Sequence, residues 1–158
     1  MGRYVLFLCP SVQFKAHRNG PISGPKRAFV VSSDTSLAGK HCLVLDDEFL
    51  IALDIQEILE TAGAAKITCV SDEAGALAAL HNGPQFDFAI LDLVLGDVMK
   101  TSLAVAEVLE AQKIPFVFLT GMPGEDRHTR KFPKASVLAK PYQAPLLLET
   151  VLRTLASR

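Results

Sequence analysis

The chain has 158 residues, 49% of them hydrophobic and 21% charged, and a formal net charge of −1. That length suits one domain around one core, and the composition excludes collagen-like, disordered and disulfide-scaffold classes. The charge is an average of two populations: residues 1–40 hold six Lys/Arg against Asp34 alone, and residues 41–158 hold ten against sixteen Asp/Glu, giving +5 and −6. An acidic body argues against nucleic-acid binding by bulk electrostatics.

Cys9, Cys42 and Cys69 are odd in number and widely spaced, with no CxxC, so neither a disulfide framework nor a structural zinc site is expected. The apolar run from Tyr4 to Cys9 stops at Pro10, short of the roughly 7–15 residues of a signal core. No stretch reaches the roughly 18 apolar residues of a membrane span. The expectation is a soluble, cytoplasmic protein with no membrane insertion. From Met1 to about Leu37 no period persists, and Asn19-Gly20-Pro21-Ile22-Ser23-Gly24-Pro25 clusters turn formers. Residues 1–40 are therefore read as a basic, disordered extension ahead of a domain spanning 41–158.

From His41 the pattern alternates. His41-Cys42-Leu43-Val44-Leu45 predicts a strand ending in Asp46-Asp47-Glu48, and Ile51, Ile55, Ile58, Leu59 and Ala62 predict a helix stopped by Gly63. Lys66 to Val70 is the next strand, and a second helix runs from a Ser71 or Asp72 cap through Ala74, Leu77 and Leu80. Phe86 to Leu91 is an apolar strand ending at Asp92, followed by helical spacing at Leu103, Ala106, Val108 and Leu109. Ile114 to Leu119 is a further strand ending at Thr120, Ala135 to Ala139 leads into Lys140-Pro141, and the last helix carries Leu148, Val151, Leu152 and Leu155 on one face. Five strands alternating with helices imply an α/β fold with a doubly wound, five-stranded parallel sheet.

Ligands of such sheets sit outside the carboxyl ends of the strands. The groups at those ends are Asp46-Asp47-Glu48, Ser71-Asp72, Asp92, Thr120-Gly121 and Lys140-Pro141. Converging carboxylates repel one another and resist losing water, so they are protonated or held by a cation. This hard-oxygen set suits Mg²⁺. A lysine and a threonine facing the same carboxylate offer one cationic and one hydroxyl partner to an incoming phosphoryl group.

The ordered set of acidic pair, single Asp, Thr-Gly and Lys-Pro resembles the response-regulator receiver domain of two-component signalling, over residues 41 to about 157. Leu45-Asp46-Asp47-Glu48-Phe49-Leu50-Ile51-Ala52, Leu91-Asp92-Leu93-Val94-Leu95-Gly96-Asp97 and Pro115-Phe116-Val117-Phe118-Leu119-Thr120-Gly121 are most similar to the FAT GUY receivers. The resemblance implies a flavodoxin-like fold with Asp92 as phosphoacceptor. Mg²⁺ would be held by Asp46, Asp47, Asp92 and the backbone carbonyl of Val94, with Thr120 and Lys140 on the phosphoryl group. It also implies a cis bond before Pro141, and space beside the acceptor at Gly121.

Two features depart from that pattern. The aromatic switch residue expected two positions before the lysine is replaced by Leu138. Residues 122–134 lack an apolar stripe, so a short or disordered fourth helix is expected there. The implied function is a single-domain response regulator that accepts a phosphoryl group from a histidine kinase, of the HWE type on the subgroup's pairing, or from a phosphotransfer protein. It would be a stoichiometric phosphoacceptor rather than an enzyme, and would signal by protein contact or serve as a phosphate shuttle or sink. The alternative is a receiver fold used as a phosphorylation-independent interaction module. A haloacid-dehalogenase-type phosphatase would need a second Asp at the position of Val94. Leu146 and Leu147 beside the last helix's buried stripe are candidates for a homodimer or kinase contact, or for core burial. Arg127, Arg130, Lys131 and Lys134 form either a surface for an acidic partner or a solvated loop.

Overall fold

The computed structural model describes residues 37–96, 100–121 and 128–157, all within the unit Val31–Arg158. Expectations about residues 1–36 and 122–127 lie outside the described residues. Five strands, β1 His41–Leu45, β2 Lys66–Val70, β3 Phe88–Asp92, β4 Phe116–Thr120 and β5 Ser136–Ala139, form one sheet in the order β2-β1-β3-β4-β5. Every neighbouring pair is parallel, as the alternating pattern predicts. Helices α1 Phe49–Thr61, α2 Glu73–Asn82 and α3 Leu103–Ala111 connect the first four strands, and α4 Ala144–Ala156 follows β5. The Asp72 side chain caps α2 by accepting from Gly75 N–H at 2.7 Å, and Pro145 stands in the first turn of α4, where no N–H is needed.

Alternation along the strands divides the core in two. Leu43, Leu45, Ala89, Leu91, Phe116 and Phe118 pack with Ala76 of α2 and Val105, Ala106 and Leu109 of α3. Cys42, Val44, Phe88, Ile90, Val117 and Leu119 pack with Ile55 and Leu59 of α1 and Leu147 and Val151 of α4. Leu147 is thereby a core residue, while Leu146 beside it is exposed. Leu37 is fully buried on the α1/α4 side; its N–H bonds Ala62 O at 3.2 Å, and Ala38 bridges Ala64. Packing thus begins four residues before the periodic pattern, in a stretch too short to display a period. Strands β3 and β4 begin two residues later than their apolar runs. Phe86 and Ile114 are buried all the same, because an apolar run records burial and not the hydrogen-bond ladder.

Among the described residues, the β4–β5 crossover gives the sheet its thinnest cover. Among its described residues only Thr129–Lys131 is helical, a 3-10 turn. Phe132 takes up the packing: it is 3% exposed, with its ring centroid 5.7 Å from those of both Phe116 and Phe118, edge to face.

The register corrects the reading of Leu138. It pairs with Leu119 and is buried on the α1/α4 side, whereas strand alternation puts Thr120 on the side of Phe116 and Phe118. The β5 residue on that side is Val137, paired with Phe118 and 41% exposed. Leu138 fills the core, and the position beside the threonine's face is also without an aromatic ring.

Two measurements check this account. Phe132→Ala is expected to lower stability in urea unfolding by about 3 kcal/mol, against roughly 0.5 kcal/mol or less for the exposed neighbour Lys131→Ala. His41, its Nε2 3.0 Å from Thr68 Oγ1 and its ring against Phe86, has its pKa lowered by burial and by Lys66, with Gln85 and Asp87 offsetting in part. The unfolded chain therefore takes up this proton first as pH falls below about 6.5, so that stability is lost on the acid side. His41→Gln should flatten the stability profile between roughly pH 7 and pH 5.

Candidate functional site

Period-two alternation explains which side chains meet at the sheet's carboxyl edge. Val44, Ile90 and Leu138 all face α1 and α4; two residues further along the same strands come Asp46, Asp92 and Lys140. Leu45 pairs with Leu91, which sets the two aspartates side by side. Lys140 N–H bonds Thr120 O at 2.7 Å, extending the β4–β5 ladder by one rung. The Lys140–Pro141 bond is cis, as the resemblance implied.

Lys140 Nζ donates to Asp46 Oδ2 and to Asp92 Oδ2, each at 2.9 Å. The Asp46 side chain is wholly buried and that of Asp92 nearly so. Asp46 Oδ1 also accepts from Glu48 N–H at 2.9 Å, which turns the chain into α1. Asp47 is far more accessible than either. Carboxylate oxygens of Asp46, Asp47 and Asp92 all lie within 4.8 Å of one another. Burial pushes the Asp92 carboxyl up; the hydrogen bond and charge of Lys140 pull it back only in part, and Asp46 adds repulsion. Burial acts to lower the Lys140 pKa, but its bonds to Asp92 and Asp46 outweigh that and hold it above the usual value. Three oxygens at this spacing, with one acid reluctant to ionise unaided, fit a hard divalent cation such as Mg²⁺.

The sequence-predicted residues fall into two groups. Asp46, Asp47, Asp92 and Lys140 converge as expected. Thr120 is buried at the end of β4 and joined to Lys140 through the backbone. Val94 is exposed beside the cluster, bridged to Thr101, and its backbone hydrogen-bonds the Asp92 carboxylate. Glu48 precedes α1 without a side-chain cap bond. His81 bonds Leu77 O within its own helix, at 2.7 Å, and His128 is solvent-exposed. Asp97 and His17 lie outside the described residues.

Sequence reasoning missed Tyr142, a half-buried phenol. Its pKa is raised by burial and then by the charges of Asp54, Asp46 and Asp92. The only sequence signal was its place directly after Lys140-Pro141. It also missed the apolar patch at the start of α1, where Phe49, Leu50 and Leu53 are 75%, 76% and 48% exposed.

No protein-family model matches the chain. Among solved structures it is similar to a response regulator receiver protein from Sinorhizobium medicae WSM419, at 27% identity and TM-score 0.68, over 77% of this chain and 98% of that one. A receiver domain of a Pseudomonas aeruginosa PAO1 sensor histidine kinase, solved with a magnesium ion coordinated in its active site cleft, matches at 20% identity and TM-score 0.63, over 75% of this chain and 99% of that one. The phyllosphere-induced regulator PhyR of Methylorubrum extorquens is 26% identical over 101 residues, 64% of this chain. The chain spans 38% of that regulator's length. The structural neighbours are thus receiver domains, and the fold is the flavodoxin-like receiver fold.

Removing the shared cation should expose its role. Lys140→Met leaves two buried carboxylates facing one another and is expected to cost about 3 kcal/mol at neutral pH. Added Mg²⁺ should restore part of that loss, read by thermal unfolding with and without the metal.

Proposed function

We propose that the protein is a response-regulator receiver that takes a phosphoryl group onto Asp92. The observation that carries this reading is the cluster itself: three carboxylate oxygens within 4.8 Å of one another, two of their owners joined to Lys140 at 2.9 Å. The receiver domains among its structural neighbours support it.

In this reading a carboxylate oxygen of Asp92 attacks the phosphorus of a phosphohistidine, the P–N bond breaks, and the imidazole leaves with the electron pair. Asp46, Asp47 and the Val94 carbonyl would hold Mg²⁺, whose charge offsets that gathering on the phosphoryl oxygens. Lys140, already bonded to Asp92, pairs with one incoming oxygen, and Thr120 offers its hydroxyl to another. Burial holds Asp92 in a site where these charges act at low dielectric. The protein is then a stoichiometric phosphoacceptor, a FAT GUY-type receiver acting in the cytoplasm. Its donor is a histidine kinase of the HWE type or a phosphotransfer protein. Phe49, Leu50 and Leu53, exposed directly after the acidic pair, suit a protein donor better than a small molecule, since an apolar patch beside a polar cluster gains from burial. Output by protein contact or homodimer formation, or service as a shuttle or sink, completes the proposal.

One observation favours a second reading, a phosphorylation-independent interaction module. Lys140 already bridges both buried carboxylates, so the cluster has an internal cation. Magnesium titration followed by NMR separates the two, because amide shifts confined to the neighbourhoods of Asp47 and Asp92 belong only to the first.

Incubation with acetyl phosphate and Mg²⁺, or with a phosphorylated cognate kinase, is expected to add the mass of one phosphoryl group to the wild type and none to Asp92→Asn. A gain that persists in Asp92→Asn overturns the proposal. Leu50→Lys should slow transfer from the kinase roughly tenfold while labelling by acetyl phosphate stays as in the wild type.

A further inference from the structure

The three carboxylates are secured unequally. Asp46 is held at both oxygens, by Lys140 and by Glu48 N–H, and Asp92 by Lys140 and the Val94 backbone. Asp47 has no hydrogen bond or ion pair among the described residues, so only the space around it fixes where its oxygens lie. That space is bounded by Gly96, in the loop after β3. Both residues line the open cleft between the β1–α1, β2–α2 and β3–α3 connections. Gly96 has φ +62°, and a Cβ built on it would stand 3.3 Å from Asp47 Oδ2, the one atom within 4 Å among the described residues.

Two separate constraints therefore fall on this position. A left-handed backbone disfavours any side chain other than glycine, with asparagine and aspartate the most tolerated exceptions. Crowding of Asp47 is independent of that strain, because it arises from the Cβ alone. A contact at 3.3 Å is tighter than ordinary packing, and something has to give. Asp46 and Asp92 are pinned by their hydrogen bonds, and Asp47, which has none among the described residues, is the group free to shift. Moving it by a few tenths of an ångström separates its oxygen from the other two and loosens the carboxylate that solvent reaches most easily.

The geometry points to Gly96 as a positioning residue: its missing side chain keeps the Asp47 carboxylate in register with Asp46 and Asp92 for a divalent cation. This rests on the reading that those three carboxylates hold Mg²⁺. Gly96 touches neither the acceptor nor the phosphoryl group and acts through Asp47 alone.

Magnesium titration of the full chain, by calorimetry or amide NMR, tests it with four variants. Gly96→Ala and Gly96→Asn should each weaken Mg²⁺ binding roughly tenfold, the scale of outer contacts that orient a metal ligand. Gly96→Asn should lose less stability than Gly96→Ala, since asparagine accepts the left-handed backbone. Gly39→Ala is the strain control: Gly39 has φ +76° with no atom of the described residues within 4 Å of an added Cβ, at the far end of the sheet. It should lose stability and bind Mg²⁺ as the wild type does. In an Asp47→Ala background the Gly96→Ala effect on affinity should vanish, because the displaced group is gone. Wild-type affinity in Gly96→Ala overturns the inference. Wild-type affinity in Gly96→Asn alone overturns it too, assigning the effect to backbone strain. A wild-type protein that binds no Mg²⁺ overturns the metal site and this inference together, an outcome told apart by the wild-type titration.

Discussion

Two buried carboxylates at the end of a parallel sheet repel one another, and the sheet tolerates them because a lysine far along the chain bridges both. Lys140 reaches Asp46 and Asp92 with equal 2.9 Å bonds. The bridge needs β1, β3 and β5 in one register, with β4 between the last two. The apolar sheet holds that arrangement: β1, β3 and β4, buried along their whole length, leave the polar groups nowhere to go but the carboxyl edge. Electrostatics at the site and packing beneath it are therefore one problem, since a slip of one residue in any of the three strands would turn its charge to the opposite face.

The two faces of the sheet are covered differently. On one, α1 and α4 enclose Cys42, Val44, Phe88, Ile90, Val117 and Leu119, and the same face carries the charged groups at its upper end. On the other, α2 and α3 cover the centre while the described part of the β4–β5 crossover contributes Phe132 and a single 3-10 turn. Arg130, Lys131 and Lys134 of that crossover are exposed, so a basic segment flanks the threonine's side and an apolar patch with acidic neighbours flanks the lysine's side. The surface around the cluster is thus polarised, with α1 offering an apolar contact and the crossover a cationic one.

Much of this was legible in the chain. Hydrophobic runs closed by polar groups marked β1, β3 and β4, because buried parallel strands read as near-continuous apolar segments. The same runs overreached at Phe86 and Ile114, where burial extends past the ladder, and fell silent at Leu37, where one apolar residue packs without a repeating neighbour. The site residues were legible for a related reason: a polar residue directly after a buried strand stands at the carboxyl edge whatever the connections do. Leu138 shows the limit. Counting back from Lys140 gave a position and not a face, and only pairing with Leu119 reveals that it turns into the core.

The amino-acid order by itself determined the strand number, the parallel class and the set of groups available at one edge, since these depend on local period and on the residue types closing each strand. Tertiary structure decided the relations among them: which carboxylates Lys140 bridges, that Asp47 stands unsecured beside Gly96, and that Phe132 covers β4. Those are distances between residues remote in sequence, fixed by register and packing, and no local pattern encodes them.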